Sequence, residues 1–181
     1  YKHKKLIKKT FGEKNAKDYI EAFKSFRINI SKNIQADIPL HSLLEKAERV
    51  LQTHTKTIEQ YCGFLTHTDF VPHNFRVAHG NVYLLDQSSI RFGNKHEGWA
   101  RFLNFMTLYN QPLEEALLYY VKNNRAKEEY LSLKLMRIYR LGEIIWFYTS
   151  LLEKTSGNLH TLTKLRVEFW ADVLGAVLED K

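Results

Sequence analysis

A run of polar residues in the middle of the chain carries the side chains most able to do chemistry. His67 and Asp69 are followed by Asn74, five residues after the aspartate, and Asp86 then ends the apolar segment 82–85. Carboxylate, imidazole and amide groups move protons and bind hard cations, and they collect in loops between rigid elements. Capping in a turn explains Asp69 or Asn74 singly, but it explains less well why all four occur in this order.

The order of these residues resembles the catalytic segment of the protein-kinase-like phosphotransferases, in particular the aminoglycoside phosphotransferase and choline kinase group. That group writes its loop as His-Gly-Asp-x-x-Pro-x-Asn, and this chain has His67-Thr68-Asp69-Phe70-Val71-Pro72-His73-Asn74. Protein kinases carry an arginine before the aspartate, which this chain lacks, so the resemblance is to the small-molecule kinases. The resemblance is specific over residues 64–105.

The resemblance implies a role for each of these residues. Asp69 would be the catalytic base, which orients the acceptor hydroxyl and takes its proton. Asn74 and Asp86 would bind Mg²⁺ and, through it, the phosphates of ATP, while His67 would brace the loop. Phosphoryl transfer needs positioning and charge neutralisation, and Mg²⁺ binds few protein oxygens beside phosphate, so these residue types suit the chemistry.

A departure from the family follows the last aspartate. The family has an acidic residue that opens a helix, often as Asp-Leu-Ala, where this chain has Glu97-Gly98-Trp99-Ala100. Glu97 would replace that aspartate as a second loop-bracing group. Helix capping explains an acidic residue at this place equally well.

The ATP-binding half of a kinase is not recognisable in the sequence. A complete kinase has an upstream β-rich lobe with a glycine-rich loop and a strand lysine. The eight glycines never cluster, and no apolar strand pattern precedes residue 18. The resemblance therefore implies that residues 1–181 are the helical C-terminal lobe alone, without the N-terminal ATP-binding lobe. We expect this lobe by itself to bind Mg-ATP weakly and to turn over slowly or not at all.

Apolar periodicity predicts the elements that must position the loop. Three- and four-residue steps predict helices over 19–34 and from Pro39 onward, and then near 99–109, 112–121, 127–152 and 162–178. Residues 75–77 and 82–85 predict a β-hairpin, because a glycine-containing turn separates them.

These elements predict the fold class α+β, mainly α, in a single kinase-like lobe. Its parts would be N-terminal helices over 1–63, the catalytic loop, hairpin and metal-binding segment over 64–98, and C-terminal helices over 99–181.

Charge and composition narrow the class of protein. The net charge is +7, but residues 1–50 hold 12 Lys or Arg against 6 Asp or Glu, so most of the excess lies there. The run from Lys2 to Lys9 predicts a solvated, flexible end rather than a nucleic-acid interface. One cysteine excludes an internal disulfide framework. No window is apolar enough for a membrane span, and we expect a cytoplasmic protein.

Several alternatives stay open beside a small-molecule hydroxyl as acceptor. A kinase of lipopolysaccharide-core sugars has a similar loop, and Arg91 with the basic first fifty residues would suit its anionic acceptors. A catalytically silent kinase-like domain could act as a binding module, although such domains often lose one of the three polar residues kept here. A nucleic-acid-binding helical domain is the weakest alternative, because only the N-terminal charge supports it.

Overall fold

A computed structural model describes residues 4–34 and 37–180 of the chain. The fold is mainly helical with two small antiparallel sheets, which confirms the predicted class α+β, mainly α. The helices are α1 (Lys4–Phe11), α2 (Ala16–Asn33), α3 (Ile38–Thr53), α4 (Thr55–Gln60), α5 (Glu97–Tyr109), α6 (Gln111–Asn124), α7 (Lys127–Leu152) and α8 (Gly157–Glu179). The strands are β1 (Phe64–His67), β2 (Phe75–Ala78), β3 (Asn81–Leu84) and β4 (Ile90–Gly93).

The chain divides into two compact units. The first unit comprises residues 1–16 and 56–137, and the second comprises 17–55 and 138–181. The predicted catalytic segment lies wholly within the first unit. That the whole chain is one kinase-like lobe stays a prediction.

The second unit is built on apolar helix faces. Tyr19, Phe23 and Ile30 lie on one face of α2 and are fully buried, as the three- and four-residue spacing predicts. Tyr19 meets Tyr139 of α7 edge-on, with 4.9 Å between ring centroids. A Cβ on Gly142 would lie 2.3 Å from the Phe23 ring, so a glycine is required for this close approach.

Two helix starts in the second unit show what the pattern can and cannot predict. The Asp37 carboxylate accepts a hydrogen bond from Leu40 N at 3.0 Å and caps α3, which begins one residue before Pro39. Helix α8 begins at Gly157, whereas the prediction left 156–158 in a loop and began the helix near 162. Its first residues are exposed, so they carry no apolar periodicity to read.

The basic N-terminal run is not a flexible end in its described part. Residues 4–11 form α1, whereas Tyr1 to His3 lie outside the described residues. Gly12, at φ 74°, ends the helix, and its carbonyl accepts from Phe92 N at 3.0 Å. Lys14 N donates to Phe92 O at 2.8 Å, and Lys8 pairs with Glu13. The segment therefore covers the edge of β4.

A helix that crosses a bilayer must be both long and predominantly apolar. Within 4–34 and 37–180, none is both long enough and apolar enough to cross a membrane.

Candidate active site

Two antiparallel strand pairs bring the predicted residues together. Strand β1 pairs with β4, so that His67 lies opposite Ile90, and the segment between them carries the loop and the hairpin. The hairpin β2–β3 confirms the prediction, with its turn at His79 and Gly80, both at positive φ. Leu85 N donates to Asn74 O at 2.8 Å, which closes the base of the hairpin. This bond places the backbone of Asn74 next to Leu85, the residue that precedes Asp86 in the chain.

The Asp69 carboxylate is held on both oxygens. Arg101 Nε donates to Oδ1 at 3.0 Å, and Asn74 Nδ2 donates to Oδ2 at 2.9 Å. The His73 ring nitrogen Nε2 lies 3.9 Å from the same Oδ2. About 29% of the Asp69 side chain is exposed, so a small molecule can reach a carboxylate of fixed orientation.

The Asn74 side chain uses only its nitrogen within the loop. Nδ2 donates a second hydrogen bond to Asp69 O at 2.8 Å. The oxygen Oδ1 accepts no hydrogen bond from the described residues, so it keeps its lone pairs for another ligand.

The Asp86 residue has an unusual backbone and a fixed carboxylate. Its φ is +57°, a left-handed conformation that a non-glycine residue adopts at a cost and often at functional sites. Hydrogen bonds from the Ser88 hydroxyl and from the Ser89 hydroxyl, the latter at 2.6 Å, lower the pKa of Asp86 below its usual value. The carboxylate is exposed, and its remaining lone pairs can bind a cation.

The His67 ring joins the loop to the hairpin. His67 is buried, and Nε2 lies 2.9 Å from Leu85 O, which can only accept, so Nε2 carries the hydrogen. The other nitrogen, Nδ1, is enclosed without a hydrogen-bond partner among the described residues. One directed bond from a buried ring fits the bracing role predicted for His67.

The Glu97 side chain braces strand β4. It is fully buried at the first position of α5 and forms an ion pair with Arg91 of β4. Arg91 is therefore engaged inside the protein and adds nothing to the argument for an anionic acceptor. The next residue, Gly98, touches the loop directly, because a Cβ there would lie 2.6 Å from His67 O.

Arg101 is the site residue that the sequence interpretation missed. It lies one turn after Glu97 and on the same side of α5 as Gly98, so it reaches Asp69 from the helix that packs on the loop. No motif marks it. The available signal was its position one turn after Glu97, the residue that the sequence interpretation placed at the start of a helix.

Aromatic packing fixes the loop on α5. The Phe70 ring contacts Phe75, Trp99 and Phe102, at centroid distances of 4.9, 5.4 and 6.0 Å. Val71, beside it, is fully buried. The residues that flank Asp69 are thus anchored while its carboxylate faces the surface.

The donor set at the loop suits a hard cation. Asn74 Oδ1 and the Asp86 carboxylate are oxygen ligands of the kind Mg²⁺ takes beside water and phosphate. Among residues 4–34 and 37–180, no group of three or more His, Cys, Asp or Glu side chains is arranged to hold a metal ion. Two protein oxygens are a small ligand set, but a Mg²⁺ ion that also binds phosphate and water needs only one or two protein ligands.

Comparison with known proteins assigns no family to this arrangement. A scan against protein-family models and searches of curated proteins and of solved structures find no match to the chain.

Proposed function

We propose that the chain is the catalytic lobe of an ATP- and Mg²⁺-dependent phosphotransferase that acts on a hydroxyl of a small molecule. The observation that carries the proposal is the Asp69 carboxylate, which is oriented by Asn74 beside the hairpin base that leads to Asp86. A loop that only capped its own turns would not need Arg101 from another element to hold the same carboxylate.

The proposed step is a direct transfer to the acceptor. The acceptor hydroxyl donates its hydrogen bond to Asp69 and loses its proton to that carboxylate as its oxygen bonds to the γ-phosphorus of ATP, while the bond from that phosphorus to the β,γ-bridging oxygen breaks and ADP leaves. Arg101 and Asn74 keep the two carboxylate oxygens in place, so that no rotation is needed during transfer. Asn74 Oδ1 and Asp86 would hold Mg²⁺, which neutralises charge on the phosphates of ATP.

An exposed apolar face on the hairpin fits a nucleotide-holding partner. Val77 and Val82 are paired across the hairpin and share one face with Leu84, and the three are 75%, 66% and 38% exposed on short strands next to the site. A patch of this kind marks a surface that something else covers. The N-terminal ATP-binding lobe expected from the resemblance is the proposed occupant, and use of ATP suits the expected cytoplasmic location.

Binding of Mn²⁺-ATP to the chain tests the magnesium assignment. We expect weak binding, with paramagnetic broadening of the amide signals of Asn74 and Asp86. Asp86→Asn should abolish the broadening, whereas Asp172→Asn, an exposed aspartate on α8, should leave it intact. Tight binding would overturn the prediction for the isolated lobe, and equal broadening in Asp86→Asn would remove Asp86 from the site.

A second candidate is the catalytically silent kinase-like module, and the Arg101–Asp69 ion pair favours it. A guanidinium on the proposed base competes with an acceptor hydroxyl for the same carboxylate. Phosphoryl transfer by the native protein that contains this sequence separates the two functions, because a silent module shows none. Where transfer is present, Arg101→Ala should lower it if Arg101 orients the base.

A further inference from the structure

A cavity of about 460 Å³ lies within the first unit between α5, α6 and α7. It is lined from α5 by Leu103, which lies on the opposite side of the helix from Arg101, and by Trp99, which also contacts Phe70 of the loop. The cavity therefore borders the packing beneath the loop, but Asp69 is not part of its lining. Its volume is in the range of small-molecule binding sites.

The walls of the cavity are mainly apolar. Leu103 and Leu133 are each only 2% exposed and close its inner end, while Leu117 and Val121 of α6 line one side. Trp99 and Tyr120 are about half exposed, so two aromatic rings border the opening. An apolar inner end with an aromatic rim suits a ring or a short alkyl chain.

The imidazole of His96 forms an uncharged polar edge of this apolar space. Burial, with the nearby Lys95 charge, lowers the pKa of His96 to about 4, so the imidazole is neutral near pH 7. Its Nδ1 lies 2.9 Å from Ser132 Oγ. Its Nε2 makes no hydrogen bond to the described residues, and it is the ring atom left to meet a ligand in the cavity.

The charged groups of the lining leave one positive charge in excess. Lys95 and Glu129 pair with each other, which lowers the pKa of Glu129, and Lys95 also lies over the Tyr61 ring. Arg125, at the end of α6, forms no ion pair and no side-chain hydrogen bond within the described part of the chain, although its charge lies close enough to Glu129 to help lower the pKa of that carboxylate. The remaining ionisable group of the lining is the Tyr120 phenol.

We propose that this cavity binds a small amphiphilic anion, with an apolar ring or short chain and one carboxylate, sulfonate or phosphate group. The apolar body occupies the space between Leu103 and Leu133, and the anionic group meets Arg125 at the opening. The excess positive charge of the lining favours an anion over a neutral or cationic analogue. The site does not depend on the proposed phosphotransferase activity.

Three matched naphthalene probes test the ligand class on the full chain: naphthoate, naphthylmethanol and naphthylmethylammonium. Calorimetry should give naphthoate the tightest binding, by about twofold to fivefold over the alcohol, since exposed ion pairs contribute little more. Amide shifts should concentrate on α5, α6 and the start of α7. Equal affinity of the three probes, no binding at millimolar concentration, or shifts confined to the second unit would each overturn the proposal.

Variants then locate the site. Leu117→Trp should fill the space and weaken naphthoate binding at least about tenfold. Arg125→Gln should weaken naphthoate twofold to fivefold and leave the alcohol unchanged, and because Arg125 is exposed this variant also serves if Leu117→Trp does not fold. Lys127→Gln removes the same charge two residues away, outside the lining, and should change nothing. Equal weakening by Arg125→Gln and Lys127→Gln would remove Arg125 from the site.

Discussion

The second unit and the predicted catalytic segment 64–98 are held together by different forces. In the second unit, aromatic side chains such as Tyr19, Phe23 and Tyr139 are fully buried between helices. In the predicted catalytic segment, β2 and β3 are largely exposed, and apolar packing anchors the loop at Phe70 and Val71. Hydrogen bonds such as those from Arg101 and His67 then fix its polar groups. Apolar burial therefore supplies most of the order in one region, while directed bonds set the geometry of the polar groups in the other.

The largest effect that follows from this contrast is in the apolar unit. Phe23→Ala should lower the free energy of unfolding by about 3 to 5 kcal/mol, because a fully buried ring is removed. Urea unfolding measures the loss, and the amide shifts of Asp69 and Asn74 should stay in place. Ile28→Ala, which removes a residue 40% exposed on the same helix, is the control and should cost far less. An equal loss of unfolding free energy in the two variants would contradict the claim that apolar burial stabilises this unit.

A buried polar cluster of the first unit should respond to pH. The folded-state pKa of His96 is about 4, below the usual 6.5, so the unfolded chain takes up the proton first as the pH falls. The stability contribution is full above about pH 6.5 and is lost as the pH falls toward 4, by at most about 3 kcal/mol.

Unfolding measured between pH 7.5 and 4.5 tests the sign of this dependence. His96→Gln cannot titrate, so the difference between it and the unchanged protein isolates the histidine from the carboxylates. A steeper loss of stability in His96→Gln than in the unchanged protein would contradict the predicted direction.

A smaller loss of stability, with a local change of structure, is expected at the contact between α5 and the loop. Gly98→Ala places a methyl group 2.6 Å from His67 O, and a backbone carbonyl cannot move aside as a side chain can. The cost should be about 1 to 3 kcal/mol. NMR shift changes should centre on residues 66–70. Gly175→Ala is the control, because a Cβ at Gly175 would have only one atom within 4.0 Å, and it should leave the shifts of residues 66–70 unchanged. Unchanged loop shifts in Gly98→Ala would show that the contact does not set the loop.

The smallest expected effect is a change in the pKa of Asp86. Ser88→Ala together with Ser89→Ala removes the hydroxyls that lower the pKa of Asp86, so that pKa should rise toward its ordinary value. An NMR titration of the carboxyl carbon measures it, with Ser42→Ala as an exposed serine control. A pKa that does not move would mean that the serines do not hold the carboxylate.

The same contrast explains what the sequence could predict. Helices with a buried apolar face, such as α2 and the long α7, follow from periodicity alone, and α7 has the predicted limits 127–152. The hairpin follows from two apolar runs around a glycine turn. Strands β1 and β4 are four residues long, with a burial pattern that does not alternate, so no period-two signal marks them.

The site was predictable only in part, for the same physical reason. Asp69, Asn74 and Asp86 were predicted because their order along the chain resembles a kinase motif. Arg101 lies 32 positions from Asp69, and its partner is set by how α5 packs on the loop, which no local pattern encodes. The close approach at Gly98 is likewise a property of the packed helix, because it depends on the position of His67 O.

Transfer of radiolabelled phosphate from ATP to a panel of small hydroxyl compounds tests the central claim most directly. The native protein that contains this sequence is compared with Asp69→Asn, which keeps the shape of the side chain but cannot take a proton, and with Asp172→Asn as the control. The account predicts that Asp69→Asn lowers the rate at least about 100-fold while Asp172→Asn retains it. Equal transfer by Asp69→Asn and the unchanged protein would contradict the assignment of Asp69 as the base.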